Sequence, residues 1–267
     1  MAYDTNRFCW HAIHSTDVPN GIDFYQKVLG WSVVMQDMGE DELAMFAAAD
    51  GDPRLHIASP LIQSMPSTWN NYLRVEDVDA STEAAVEAGG LLLVPGTDIP
   101  PGRFAMVSTP SGATLALFKE ASPETNAHPG GGLGSIHWVE LHSQDVDADL
   151  AWLRTVFGFE ATERPMGGGA RYHVLTMNGE MRGGVTPSAA TDLPSTWVAW
   201  VTVEDVDACV DQATSLGGER LTDTTEMAGV GRMAMVAEGV ETVKTVRRLS
   251  HQYKVSMPIT HEVYNII

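Results

Sequence analysis

The chain has 267 residues, is 44% hydrophobic, and sets 35 acidic against 16 basic side chains for a formal net charge of −19. At roughly 150 residues per domain this length suits two domains, the apolar content excludes a disordered chain, and the acid excess argues against nucleic acid or an anionic membrane, which Lys and Arg would hold. No apolar run nears the ~20 residues that cross a bilayer, residues 1–6 carry no secretory leader, and Cys9 and Cys209 form neither a disulfide framework nor a CxxC pair, so a reducing cytoplasm is expected.

In chain order, a strand is predicted over residues 8–16, then Asp17 and a helix over 19–29 that Gly30 ends. Ile22, Tyr25, Val28 and Leu29 form its apolar face at helical spacing. Three strands follow at residues 31–38, 42–48 and 54–58. The pattern then restarts, with a strand over 69–75, Asp77 as N-cap, and a helix over 78–88 closed by Gly89-Gly90. Strands near residues 91–94, 104–108 and 114–118 complete it. Residues 121–134, with Ser-Pro, His-Pro and a glycine run, read as a flexible linker.

Beyond the linker the chain repeats itself. Trp10, His14, Ser15, Asp17 and Val18 recur 128 residues later as Trp138, His142, Ser143, Asp145 and Val146. The same offset carries Gly30 to Gly158, Pro66-Ser67-Thr68-Trp69 to Pro194-Ser195-Thr196-Trp197, and Val75-Glu76-Asp77-Val78-Asp79 to Val203-Glu204-Asp205-Val206-Asp207. A constant register over this span marks a duplicated domain. Each copy contains two βαβββ modules, so four are expected. Asp17, Asp77, Asp145 and Asp205 are read as helix caps. The glycines at 130–134 and 167–169 do not fit GxGxxG and are read as loops.

The run from Trp10 through Asp17 to Asp23-Phe24-Tyr25-Gln26-Lys27-Val28-Leu29-Gly30-Trp31 resembles the opening of the vicinal oxygen chelate superfamily, which includes glyoxalase I, bleomycin-resistance proteins and extradiol dioxygenases. Phe8-Cys9-Trp10, the Pro-Ser-Thr-Trp step and Val-Glu-Asp-Val-Asp are similar to its tandem branch, over about residues 6–237. The resemblance implies an α+β chain of two tandem domains. Residues 1–120 are the first, 121–134 the linker, and 135–237 a truncated second. In each, paired βαβββ modules curl a sheet around a cleft. It also implies where a metal would sit. Those positions here are Trp10, Asn70, Ala116, Trp138 and Val198, and an indole or an aliphatic side chain offers no ligand atom, so no metal is expected.

Strand residues alternate faces. With Trp10 inward, His14 follows, and the second module adds Asn70, Tyr72 and Arg74. By the offset, the second cleft holds Trp138, Glu140, His142, Val198 and Trp200, while His11 and His137 point the other way. Trp10, His14, Asn70, Tyr72, Arg74, Trp138 and Trp200 are candidate ligand-binding residues in apolar clefts with a few convergent polar groups. Glu140 and His142 are the candidate catalytic pair, as base and orienting partner. A tryptophan on a strand also serves as plain core, and a histidine retained through duplication also serves by hydrogen-bonding a loop. The reading is a protein that binds a small organic molecule without the family metal. Its alternatives are a glyoxalase-like lyase or related enzyme acting on a small oxygenated metabolite, and a non-functional chimaera.

The chimaera arises from the C-terminus. Beyond Ala237 the repeat stops, and Ala-Glu-Gly-Val-x-Thr with Met-Pro-Ile-Thr-x-x-Val-Tyr resembles the end of NAD(P)-dependent glycerol-3-phosphate dehydrogenase. In that family the positions matching Val236 and Glu238 border the nicotinamide cofactor. No Rossmann segment accompanies them here, so no cofactor and no dehydrogenase activity are expected. Residues 238–267 are expected as a tail in place of the second domain's last strand. Val240, Val243, Val246, Leu249 and Tyr253 suit a helix, and the β-branched content of 240–246 leaves a strand open.

Overall fold

A computed structural model describes residues 4–37, 42–48, 51, 53–61, 67–122, 132–165, 171–189, 195–227 and 230–238. The first module is β1 (Phe8–His14), α1 (Val18–Leu29), β2 (Ser32–Asp37), β3 (Glu42–Ala47) and β4 (Pro53–Ala58). The second is β5 (Thr68–Arg74), α2 (Val78–Glu87), β6 (Leu91–Ile99), β7 (Gly102–Ser108) and β8 (Thr114–Glu120). The third is β9 (Ile136–Ser143), α3 (Val146–Phe157), β10 (Glu160–Pro165), β11 (Arg171–Met177) and β12 (Glu180–Pro187). The fourth opens with β13 (Thr196–Val201) and α4 (Val206–Ser215), then breaks into β14 (Glu219–Arg220), β15 (Thr225–Met227), β16 (Gly231–Met233) and β17 (Val236–Ala237). Most of the expected linker and all of the expected tail beyond Glu238 lie outside the described residues.

The strand orders are β2-β3-β4-β1-β5-β8-β7-β6 and β10-β11-β12-β9-β13, with β14-β17 and β15-β16 as separate pairs. In the first three modules the opening strand runs parallel to the closing one: β1 to β4, β5 to β8, β9 to β12. Parallel neighbours need a crossover, and the helix in each module belongs to it. Among the described residues no helix is long and apolar enough to cross a membrane.

The four repeated aspartates cap α1, α2, α3 and α4. Asp17, Asp77, Asp145 and Asp205 accept from the backbone N–H of Asn20, Ala80, Ala148 and Ala208. Gly30 and Gly158 close α1 and α3 at φ 67° and 74°, in the left-handed region that costs glycine nothing. The recurring serine of Pro-Ser-Thr-Trp also has a local task. Ser67 Oγ accepts from Thr16 N–H at 3.1 Å, and Ser195 Oγ from Gln144 N–H at 2.8 Å. The buried face of α1 is Gly21, Phe24, Tyr25 and Val28, while Ile22 and Leu29 are half-buried against the same cluster. Gly21 explains the rotation: a Cβ there would stand 2.7 Å from Ile57 Cδ1, so the helix lies close on β4.

The chain forms two compact units, Met1–Trp10, Asn70–His128, Trp138–Val198 and His11–Trp69, Pro129–His137, Ala199–Ile267. Their limits fall inside β1, β5, β9 and β13, and each unit draws on both copies. The first unit holds α2 and α3 over Leu73, Leu115, Leu117, Val139, Leu141 and Val185. There Trp152 Nε1 donates to Ala85 O at 2.9 Å. The second unit holds α1 and α4 around an aromatic nest, with Tyr25 5.8–6.0 Å from Trp31, Phe46 and Trp69. Trp69 Nε1 donates to the Tyr25 hydroxyl at 2.9 Å, and Tyr25 is hydrogen-bonded in turn to Glu238.

Candidate functional site

β9 displays its residues in strict alternation. Val139, Leu141 and Ser143 are buried on one side, while Trp138 and His142 stay half-buried on the other, with Glu140 between them. His137 is exposed. His142 Nε2 and Glu140 Oε1 are 2.7 Å apart, and their side chains remain 16% and 10% exposed, so water reaches the pair. The other carboxylate oxygen of Glu140 accepts from the Tyr172 hydroxyl of β11 at 2.9 Å. Trp138 Nε1 donates to that same hydroxyl oxygen at 2.6 Å. Burial, then the charge of Glu140, push the Tyr172 phenol far above its usual range, so it stays protonated and donates.

One glycine makes this array possible. Gly184 of β12 stands opposite Glu140, and a Cβ on it would fall 1.9 Å from the Tyr172 hydroxyl. Tyr172 therefore crosses the sheet over a position where only hydrogen fits. With Glu140 Oε1 as the acceptor of this contact, Nε2 of His142 is assigned as its donor and Nδ1 as the ring position that carries the lone pair. The result is a fixed chain from indole through phenol and carboxylate to imidazole, the arrangement of an acid that orients a base.

The first copy does not repeat the array. Under the 128-residue offset Glu140 becomes Ala12, Tyr172 becomes Ala44 and Gly184 becomes His56. His14 and His56 lie with ring centroids 6.4 Å apart in the second unit. Burial lowers the His14 imidazole to about 4, and burial with the neighbouring His14 lowers His56 to about 3. Both are neutral at physiological pH.

The remaining expected ligand residues are engaged within the fold. Arg74 forms a buried ion pair with Glu120 at 2.6 Å, both side chains under a tenth exposed. Tyr72 packs against Phe104 and Phe118, and Asn70 Oδ1 accepts from Thr114 Oγ1 at 3.3 Å. Trp10, half-buried, belongs to the first unit with these three, whereas His14 belongs to the second. Trp200 borders a cavity of about 60 Å³ in the second unit, with Val201, Cys209 and Val236. That is well below the ~300 Å³ at which organic-ligand sites begin. Glu238 lies in the second unit against Tyr25, and Val236 is part of the same hydrophobic cluster.

The positions at which the superfamily resemblance places a metal do not fit one. Ala116 and Val198 are buried aliphatic side chains, Trp10 and Trp138 present indoles, and the Asn70 amide is engaged with Thr114. Glu140 already accepts from two neighbours. Among the described residues no three His, Cys, Asp or Glu gather as a cation would require. Tyr172 and Gly184 escape a reading of the sequence. The available signal is a glycine inside a strand, which marks a close approach of other groups.

Comparison with known proteins agrees with this architecture. Residues 10–117 match the Glyoxalase/Bleomycin resistance protein/Dioxygenase superfamily. Residues 211–267 match the NAD-dependent glycerol-3-phosphate dehydrogenase C-terminus. The chain is 28% identical over 240 residues to "Putative glyoxylase CFP32" of Mycobacterium bovis, covering 86% of this chain and 89% of that protein. It is 28% identical over 229 residues to the anthracycline biosynthesis protein DauV of Streptomyces sp. strain C5, covering 78% and 81%. In fold it is similar to the Mn(II)-bound glyoxalase of Novosphingobium aromaticivorans, with TM-score 0.59, 15% identity, and 88% and 79% of the two chains covered. It is also similar to the 2,2',3-trihydroxybiphenyl 1,2-dioxygenase of Sphingomonas wittichii strain RW1, with TM-score 0.57, 13% identity, and 88% and 87% covered. The first copy of the duplicated region thus matches the glyoxalase/bleomycin resistance/dioxygenase superfamily, the chain shares the fold of a glyoxalase and a dioxygenase, and its last part matches the dehydrogenase C-terminus.

Proposed function

We propose that this protein binds a small organic molecule on the Trp138–Glu140–His142 face of β9, and does so without the metal of its superfamily. The observation that carries the reading is the fixed array of Trp138 indole, Tyr172 phenol, Glu140 carboxylate and His142 imidazole, in which the indole and the imidazole stay half-buried. Such a set orients a ligand through a few polar atoms while apolar area supplies affinity. CFP32 and DauV are relatives over most of the chain, and their names agree with small-molecule chemistry. Calorimetric titration of the purified protein with Mn(II), Zn(II) and Ni(II) tests the metal-free part. The expected result is no stoichiometric tight binding; one ion bound tightly per chain overturns it.

The 2.7 Å contact of Glu140 with His142 favours a second reading, an enzyme that moves a proton on a small oxygenated compound. Nδ1 of His142 takes the proton from carbon beside a carbonyl, and Glu140 stabilises the imidazolium that forms. Deuterium uptake by hydroxyacetone in D2O, followed by NMR, reads this step directly. Glu140→Gln and His142→Ala are expected to remove the protein-dependent exchange, and variants that exchange as well as the parent dismiss the pair.

A further inference from the structure

We propose that the outer edge of β2 is a docking surface for a second copy of this chain, and that two β2 strands pair there antiparallel across a twofold axis at Val34.

The two large sheets end on four strands, β2 and β6 in one and β10 and β13 in the other. A strand edge offers unpaired N–H and C=O groups to any other chain, and proteins blunt such edges with charge, proline, bulges or cover. Three of the four are blunted here. β6 carries Pro95, and its register with β7 shifts twice, between Leu92 and Val94 and between Val94 and Thr97. β13 is covered, with Trp197, Val198 and Ala199 buried. β10 holds Glu160, Glu163 and Arg164, all exposed, and ends in Pro165.

β2 has none of these devices among the described residues. Its register with β3 is unbroken from Ser32 to Asp37, it contains no proline, and residues 32–36 carry no charge. Val34 and Met35 are 54% and 52% exposed and, by alternation, lie on opposite faces. The repeat supplies the control. β10 is the same strand one copy later, and the 128-residue offset carries Val34 to Thr162, Met35 to Glu163 and Gln36 to Arg164. The strand therefore forms with polar and charged side chains at these positions, so the fold does not call for the apolar ones in β2.

A second copy fits this edge because the strand is complementary to itself. A twofold axis perpendicular to the sheet keeps each residue on its own face. With the axis at Val34, Val34 meets Val34 of the second copy, Val33 meets Met35, and Ser32 meets Gln36. Each pair is apolar with apolar or polar with polar. Two chains of net charge −19 repel, so their contact needs a seam free of charge, and residues 32–36 provide one. Asp37, the charged residue of β2, stands six positions from its counterpart, about 20 Å at ~3.4 Å per residue and past the ~8 Å over which charges act at physiological salt. A basic partner would find no carboxylate along residues 32–36. One strand pair lies at the small end of specific interfaces, below about 1,200 Å², so the dimer is weak, with a Kd on the order of 10 μM.

Sedimentation velocity of the full chain at increasing concentration tests this, and a monomer–dimer equilibrium is expected. Val34→Lys sets two ammonium groups against each other at the axis and is expected to weaken the dimer at least about tenfold. Thr162→Lys, at the matching position of β10, is expected to leave it unchanged. Val34→Cys is expected to give a disulfide-linked dimer on mild oxidation, because Cβ atoms opposed at the axis stand about 4.5–5.5 Å apart. The parent, with Cys9 buried and Cys209 half-buried, is expected to give far less. The cysteine variant decides the question even if Val34→Lys fails to fold. A parent that stays monomeric up to roughly 500 μM overturns the proposal. So does a dimer that the two lysine variants weaken equally or not at all, or a Val34→Cys chain that does not cross-link. A monomer whose amides at residues 33–36 resist hydrogen exchange would assign the edge to the chain's own residues and overturn it too.

Discussion

Glu238 is a carboxyl group in a core that does not solvate it. Burial, with the charge of Asp17 adding to it, pushes it up to about 7, and the hydrogen bond with Tyr25 offsets only part of that. The folded chain therefore keeps a proton that the unfolded chain releases near 4.5, so stability is fully present below that pH and is lost as pH rises through about 7. The size of the loss is about 3 kcal/mol. His14 and His56 act with the opposite sign. Their folded values lie at about 4 and about 3, so stability is present above 6.5 and is lost as pH falls below it. Between 4.5 and 6.5 the two histidines outweigh the single carboxyl, so urea unfolding at successive pH values is expected to show a net rise toward pH 6.5 and a shallow fall from there to about 7. Glu238→Gln, which still bonds Tyr25, is expected to steepen the rise and abolish the fall; a fall that persists in the variant would assign it elsewhere. At this scale the sequence shows Glu140 and His142 clearly, because period-two alternation in one strand places them together. Tyr172 is invisible to that logic, since its reach depends on an absent side chain in a third strand.

Helices and their caps are local events, and all four are readable from an aspartate followed by an apolar face. What ties a helix to the rest is not local. Asp149 of α3 is fully buried and accepts from Ser143 Oγ at 2.6 Å, from Ser111 N–H at 3.2 Å, and from Ser111 Oγ. It pins α3 both to the end of β9 and to the turn between β7 and β8. In the sequence it is merely a first-turn acid, and its partner Ser111 lies 38 residues away. Asp149→Ala strands three donors and is expected to cost about 3 kcal/mol in urea unfolding, against about 1 kcal/mol for removing the exposed cap with Asp77→Ala. Equal losses would show that Asp149 is no more than a cap. The second unit solves the same problem differently. Gly21 holds the place of Asp149 under the repeat, and Glu238 Oε1 comes within 3.3 Å of where its Cβ would be. The rotated face of α1 has the same origin, for a glycine's missing volume leaves no mark in a pattern of apolar residues.

For the molecule as a whole, the repeat declares two copies, but no local pattern says which modules share a core. Each of α1, α2, α3 and α4 buries one face, and tertiary packing chooses their partners. The structure groups α2 with α3 and α1 with α4, one helix from each copy in each case. A fragment of residues 1–122 would keep one helix of each pair with its buried face uncovered. That fragment is expected to lack a cooperative thermal transition and to be degraded quickly under limited proteolysis. A compact, protease-resistant fragment ending near Lys119 would instead support the reading of a chimaera that folds only through its first domain.

The interleaving of the copies also sets the order of events during synthesis. On a ribosome adding roughly 5–20 residues per second, the stretch around α1 emerges on the order of ten seconds before α4 exists to cover it. The nascent first half must spend that interval with greasy helix surfaces bare, so holdase chaperones, rather than any property of the finished protein, would govern how much of it accumulates in a cell.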